Sequence, residues 1–355
     1  MQGRAFKISG TIYDPERGLI RGGVVIENGA VEPVERTLRD GDMEGTVVPT
    51  FVNAHTHMGD ACIDALPHGM DLAGFVRPPK GYKHVIMAKT SRTIKVRRIK
   101  EYLTSAFWNG IIEVHDFREE GVDGLAMGKE AVDATGLPIR VPMYGRPAPP
   151  SSPEQVLAAC DGFGLSSRDD VGGEVADALA RLAHQKGKRF ALHASEDGRV
   201  EISPVLALKP TFVVHMCHAL GEDLEECAKA GVPIAVCPRS NAAFERSPDV
   251  GAMLDAGVAV MLGTDNASIC TPDMFEEMRY LYLSKHRKIS PKGILDMAVL
   301  APRKVFKTGG RFSLWDDALI LGRRFDNVES LILKARPEHI LAIVTRGRVI
   351  RRAGT

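Results

Sequence analysis

Between residues 45 and 265, short apolar runs alternate with helix-patterned stretches, and this rhythm constrains the fold more than any other feature of the chain. The runs at 47–57, 110–117, 139–145, 161–166, 189–196, 211–218, 232–238 and 258–265 read as strands. Segments between them, such as 171–187 and 221–231, carry apolar residues at helical spacing and stop at a glycine. Parallel strands need a crossover connection, usually a helix, so repeated βα units predict a parallel sheet. Eight of them predict an α/β fold, a TIM-like (β/α)₈ barrel.

The barrel is assigned to residues 47–311, with helices expected at 273–287 and 291–306. The flanks, 1–46 and 312–355, are short β-like runs broken by turn signals such as Asn28-Gly29. Their simplest assembly is one small β-sandwich-like domain built from both ends of the chain. The non-periodic stretch 58–88 directly follows the first barrel strand and is expected to be a functional loop.

A formal net charge of +1 provides no global field for nucleic acid or an anionic membrane, so neither partner is expected. The basic run Lys89 to Lys100 reads as the solvated face of a helix. Cysteines 62, 160, 217, 227, 237 and 270 form no CxxC pair and are expected to be reduced. Without a signal-peptide pattern or a membrane-spanning apolar run, the expected location is the cytoplasm.

The chemistry collects at strand ends. His55 and His57 lie two residues apart on the first strand, so both imidazoles project to one face. The fifth strand ends in His193 with Glu196 three residues on, the sixth carries His215, and the eighth ends in Asp265. Barrel active sites lie at the C-terminal ends of the strands. Three imidazoles (His55, His57, His193) and one carboxylate (Asp265) make a first shell for one divalent ion with a position left open. Zinc is the first expectation and iron or manganese the alternatives. Glu196 is placed to move a proton, and His215 to donate to an atom on which negative charge develops. Asp265 would serve both as ligand and as a catalytic group that orients water.

PTFVNAHTH, LHASE, VVHMCH, VCPRSN and GTDNAS, in that order, resemble the amidohydrolase superfamily. The similarity is strongest to its cytosine deaminase, guanine deaminase and chlorohydrolase branch. It runs from about residue 45 to 310, and the flanking strands resemble that family's composite β-domain. It implies His55, His57, His193 and Asp265 as ligands, Glu196 as proton shuttle and His215 as a contact to substrate. A homodimer and a small-molecule substrate are also implied. Binuclear members carry a bridging lysine on strand four, and neither PIRVPMYGRP nor DGFGLSSRDD contains one, so one metal is expected.

Other residues carry weaker expectations. His115 reads first as packing and second as a substrate contact, and Arg239 as a contact to an anionic group. Arg77 and Lys80 are candidate pocket residues on the 58–88 stretch, Asn241 a tether between loops and His286 a surface residue. Asp60 reads either as support for a ligating histidine or as a plain turn carboxylate. The function expected is hydrolytic deamination of an amino-substituted heterocycle resembling a nucleobase or nucleoside. An amidase, cyclic-imide hydrolase or chlorohydrolase on the same site is the alternative, and a non-catalytic barrel relative a further one.

Overall fold

A computed structural model describes residues 5–35, 38, 41–77, 80–285, 288–306 and 314–351. His286 and the domain boundary expected at 311/312 lie outside the described residues. In chain order the strands are β1 (Phe6–Asp14), β2 (Gly18–Glu27), β3 (Ala30–Val34), β4 (Met43–Pro49), β5 (Phe51–His57), β6 (Ile111–Arg118), β7 (Met143–Gly145) and β8 (Gly162–Leu165). They continue with β9 (Arg189–Ala194), β10 (Phe212–His215), β11 (Ile234–Val236), β12 (Val260–Leu262), β13 (Asp265–Asn266), β14 (Asp317–Leu321), β15 (Ile340–Thr345) and β16 (Arg348–Arg351).

One compact unit comprises residues 1–52, 106–112 and 273–355. Its sheet runs β16-β15-β14-β4-β1-β2-β3, so strands from both ends of the chain share one ladder. Only β1 and β4 pair in parallel within it. Alternating apolar residues bury one face of this sheet, with Ile8, Ile12, Val24, Val47, Ile320 and Val344 at its centre. The expected strand 47–57 is in fact divided at Thr50. Residues up to Pro49 pair with β14 in this sheet, and residues from Phe51 begin β5 of the other.

The second unit comprises residues 53–105 and 113–272. The other sheet is parallel and runs β12-β11-β10-β9-β8-β7-β6-β5-β13. β13 lies just beyond β12 and pairs with β5, aligning Asp265 with Thr56 and Asn266 with His57, so the last barrel strand returns to the first. Gly263 permits that return, since a Cβ there would stand 2.8 Å from the backbone N and O of His55. Every residue of β5 and β6 is buried, as expected for strands covered on both faces.

The stretch 58–88 is more ordered than a non-periodic sequence suggests. It holds a 3-10 turn (Met58–Cys62) and the helices Leu72–Val76 and Tyr82–Lys89, the first helix capped by Asp71 accepting from the Gly74 N–H at 2.7 Å. Most of the basic run lies on helix Arg92–Trp108, where Arg97 is exposed, Arg98 half-buried, both beside Glu101, whereas Lys95 is buried and paired with Glu120. None of the six cysteines is joined in a disulfide. Among the described residues no helix is long and apolar enough to cross a membrane.

Candidate metal centre and its pocket

His55 and His57 point to one side of β5, with ring centroids 5.0 Å apart. β9 brings His193 to 4.9 Å from His55 and 5.3 Å from His57. One ligand atom from each of these three residues lies within 4.8 Å of the others. His55, His215 and Asp265 form a second such group, and His193, Glu196 and His215 a third. Asp265 Oδ1 stands 3.2 Å from His55 Nε2 and 3.7 Å from His57 Nε2. Glu196 Oε2 stands 3.5 Å from His215 Nε2 and 3.6 Å from His193 Nδ1. The structure therefore brings all six expected central residues to one place.

Hydrogen bonds orient several of these side chains from outside. Ser240 Oγ donates to Asp265 Oδ2 at 2.5 Å, leaving Oδ1 facing the imidazoles. Asn241, expected to tether loops, instead donates from Nδ2 to His215 Nδ1 at 3.0 Å. That places the neutral imidazole's proton on Nε2, the atom facing Glu196. Phe117 stacks on His193, with centroids 5.3 Å apart and planes 7° from parallel, and meets His55 edge-on at 4.6 Å.

The backbone is turned over at the rim. Ser195, His215, Met216 and Asp265 all have left-handed φ, at 46°, 75°, 56° and 57°. Residues other than glycine rarely adopt this region, and clusters of them mark functional sites.

Both nitrogens of His55, Nδ1 of His57, Nε2 of His193 and Nε2 of His215 are buried without a hydrogen-bond partner. Orphaned polar atoms in a protein interior carry a free-energy cost and are rare. Burial holds His55 and His193 well below the ordinary histidine range, so both are neutral, as metal ligation requires. Burial would raise the Asp265 carboxyl, but His55, His215 and His57 hold it well below the usual range. Neutral imidazoles with free lone pairs around an ionised carboxylate fit a divalent cation by their donor chemistry.

A second set of residues lies beside His57: Asp60, which the sequence singled out, and Lys83 and Glu119, which it did not. His57 Nδ1 faces Glu119 Oε1 at 3.2 Å. Lys83 Nζ donates to the same oxygen at 2.8 Å and to Asp60 Oδ2 at 3.0 Å. Burial pulls the His57 imidazole down, as does Lys83, but Glu119 and Asp265 outweigh both and hold it raised. Burial raises the Asp60 carboxyl. Asp116 accepts from the Met58 N–H at 2.7 Å, and burial pushes its carboxyl up to about 7. Arg118 lies against Gly59, where a Cβ would come within 2.7 Å of the guanidinium. The segment after β5 is thus seated on buried charges at the end of β6.

His57, Lys83 and Glu119 face a cavity of about 260 Å³. Its polar wall includes His57, Lys83, Glu119, Arg146, His193, Glu196 and Asp265, and its apolar wall Leu72, Val76 and Phe244. Of the weaker candidates, Arg77 lines this cavity. His115 is buried, with Nδ1 on the Tyr144 hydroxyl at 3.0 Å and Nε2 on Glu113 at 2.9 Å, and is not among the lining residues. Lys80 and Arg239 are not among them either, and Arg239 donates to the Thr271 carbonyl at 2.7 Å.

Residues 46–313 match the amidohydrolase family, and the chain belongs to it. Membership makes it an enzyme, a hydrolase of carbon–nitrogen bonds other than peptide bonds, with a small-molecule substrate. It is 30% identical over 321 residues to an uncharacterized protein of Methanocaldococcus jannaschii, covering 83% of each chain. It is 28% identical over 283 residues to a 5-methylthioadenosine/S-adenosylhomocysteine deaminase of Haloarcula marismortui, covering 68% of this chain and 63% of that one. Among solved structures it is similar to a guanine deaminase from C. acetobutylicum with bound guanine. The TM-score is 0.75 at 15% identity over 98% of this chain and 100% of that one, a likeness of fold.

Proposed function

We propose that this chain is a metal-dependent hydrolytic deaminase of an amino-substituted heterocycle, nucleobase- or nucleoside-like in character. The observation that carries the reading is the set of buried imidazoles with unpaired nitrogens converging on Asp265, with Glu196 beside them. The relative named 5-methylthioadenosine/S-adenosylhomocysteine deaminase supports the substrate class.

His55, His57, His193 and Asp265 would hold one divalent ion, zinc by the donor set. The bound ion lowers the pKa of water and supplies a nucleophile at neutral pH. Glu196, partly exposed to the cavity, accepts the proton of the attacking water and delivers it to the departing amine, so that ammonia leaves. His215 donates its Nε2 proton as a hydrogen bond to the substrate atom that gains negative charge. Asp265, held by Ser240, keeps Oδ1 directed at the place where water is oriented. Phe244, Leu72 and Val76 offer an apolar wall for the ring.

The test is metal content of the purified protein together with an ammonia-release screen over aminopurines, aminopyrimidines and their nucleosides. About one ion per chain with ammonia from a member of that set is the expected result. An ion without ammonia, and activity on amides, cyclic imides or halogenated rings, would replace deamination by another hydrolysis at this site. No ion after reconstitution would overturn the ligand assignment.

A further inference from the structure

Lys83 lies on the helix Tyr82–Lys89, within the stretch that follows β5, and its side chain is 4% exposed. An ammonium is taken out of water only where it is fully paired. Lys83 Nζ meets Asp60 on the 3-10 turn after β5, at 3.0 Å, and Glu119 just past the end of β6, at 2.8 Å. Both carboxylates are themselves buried. Glu119 Oε1 then faces His57 Nδ1 at 3.2 Å. Three segments far apart in sequence thus meet at one chain of charges that ends on an imidazole.

A carboxylate 3.2 Å from Nδ1 favours, by its charge, the imidazole proton on that atom and so leaves Nε2 as the atom that would bind an ion beside Asp265. Glu119 can hold that position only if something holds Glu119, and the Lys83 ammonium is the cation it contacts. We propose that Lys83 is a positioning residue for the metal centre. Through Glu119 it fixes the tautomer and ring plane of His57, and it fastens helix Tyr82–Lys89 to that ligand. Metal binding then tightens the helix, and loosening the helix weakens metal binding. The proposal rests on the reading of His57 as a metal ligand.

Replacing Lys83 alone would add negative field beside a bound cation and confuse position with charge. The variant Lys83→Met with Asp60→Asn removes one charge of each sign, so the net charge of the cluster is unchanged. Zinc affinity by chelator competition should fall about 10- to 100-fold, the usual effect of losing an outer partner of a ligand. In the wild-type chain, zinc should slow amide exchange of residues 82–89, and in the variant it should not. Unchanged affinity and unchanged zinc-dependent protection, in a variant that melts cooperatively, would overturn the proposal. If that variant does not fold, Glu119→Gln with Lys83→Met, which also leaves the net charge unchanged, replaces it. This pair of changes keeps an acceptor toward His57 but removes the ion pair, and the same losses are expected, with their absence again overturning the proposal. A wild-type chain that binds no zinc, or a His193→Ala variant that binds it as tightly, would instead defeat the functional reading, and the proposal with it.

Discussion

His55 and His115 occupy neighbouring strands, β5 and β6, and both are fully buried. Burial lowers both below the ordinary histidine range. They differ in what their nitrogens meet. His115 uses both, one on Tyr144 and one on Glu113, and Glu113 is held in turn by Arg140 at 2.9 Å. His55 has a hydrogen-bond partner for neither. Burial therefore does not separate a structural histidine from a ligating one; satisfaction of its nitrogens does.

The largest effect expected from this contrast is on metal. His55→Ala should reduce bound zinc from about one ion per chain to a trace and abolish turnover, whereas His115→Leu should keep its zinc. Metal analysis of the two purified variants checks this, and equal loss from both would break the comparison. Glu196→Gln comes next. Its kcat should fall about 10²- to 10⁴-fold with metal retained, as for removal of a group that moves protons. Steady-state kinetics on a metal-counted sample would show it, and a fall in metal content instead would make Glu196 a ligand.

Stability effects are smaller and belong to the His115 side. Burial would raise the Glu113 carboxyl, but His115 and Arg140 outweigh it and bring it from 4.5 to about 2. A depressed carboxylate contributes stability above its unfolded pKa and loses it as pH falls through the folded one. The contribution, about 3 kcal/mol, should therefore be present above about pH 4.5 and disappear between there and about pH 2. Glu113→Gln should flatten the acid-denaturation profile in that window. The smallest effect is that of His115→Leu at neutral pH, a loss of about 2 kcal/mol in urea unfolding from taking the His115 partner away from Glu113 Oε1 while Arg140 still holds Oε2.

Much of the barrel and the central constellation was legible in the sequence because both rest on local periodicity. Alternation on β5 puts His55 and His57 on one face, and each of the other ligands falls at the end of its own apolar run. The same alternation made His115 ambiguous, since Glu113, His115 and Phe117 share a face of β6 and differ only in depth. Phe117 touches His55 and His193, while His115, two residues deeper, does not line the cavity. Lys83 and Glu119 were missed because their contact is purely tertiary, made by a helix within a stretch that has no periodic pattern. The acidic pair following β6 in HDFREE was the one available hint of Glu119. The break at Thr50 was hidden because one unbroken apolar run feeds two sheets.

The left-handed residues at the rim have a consequence for how such a chain responds to selection. Each non-glycine residue in that conformation holds about 1–2 kcal/mol of backbone strain. Met216 carries it without offering the site a polar atom, but its side chain is buried, and glycine there would exchange that strain for a cavity costing about 2–5 kcal/mol. At His215 and Asp265 the same relaxation would delete the working side chain. Selection for heat resistance alone would have no reason to keep the strained side chains of His215 and Asp265, and relaxing them would leave a barrel without its chemistry. Durability and activity are set against each other at this rim, residue by residue.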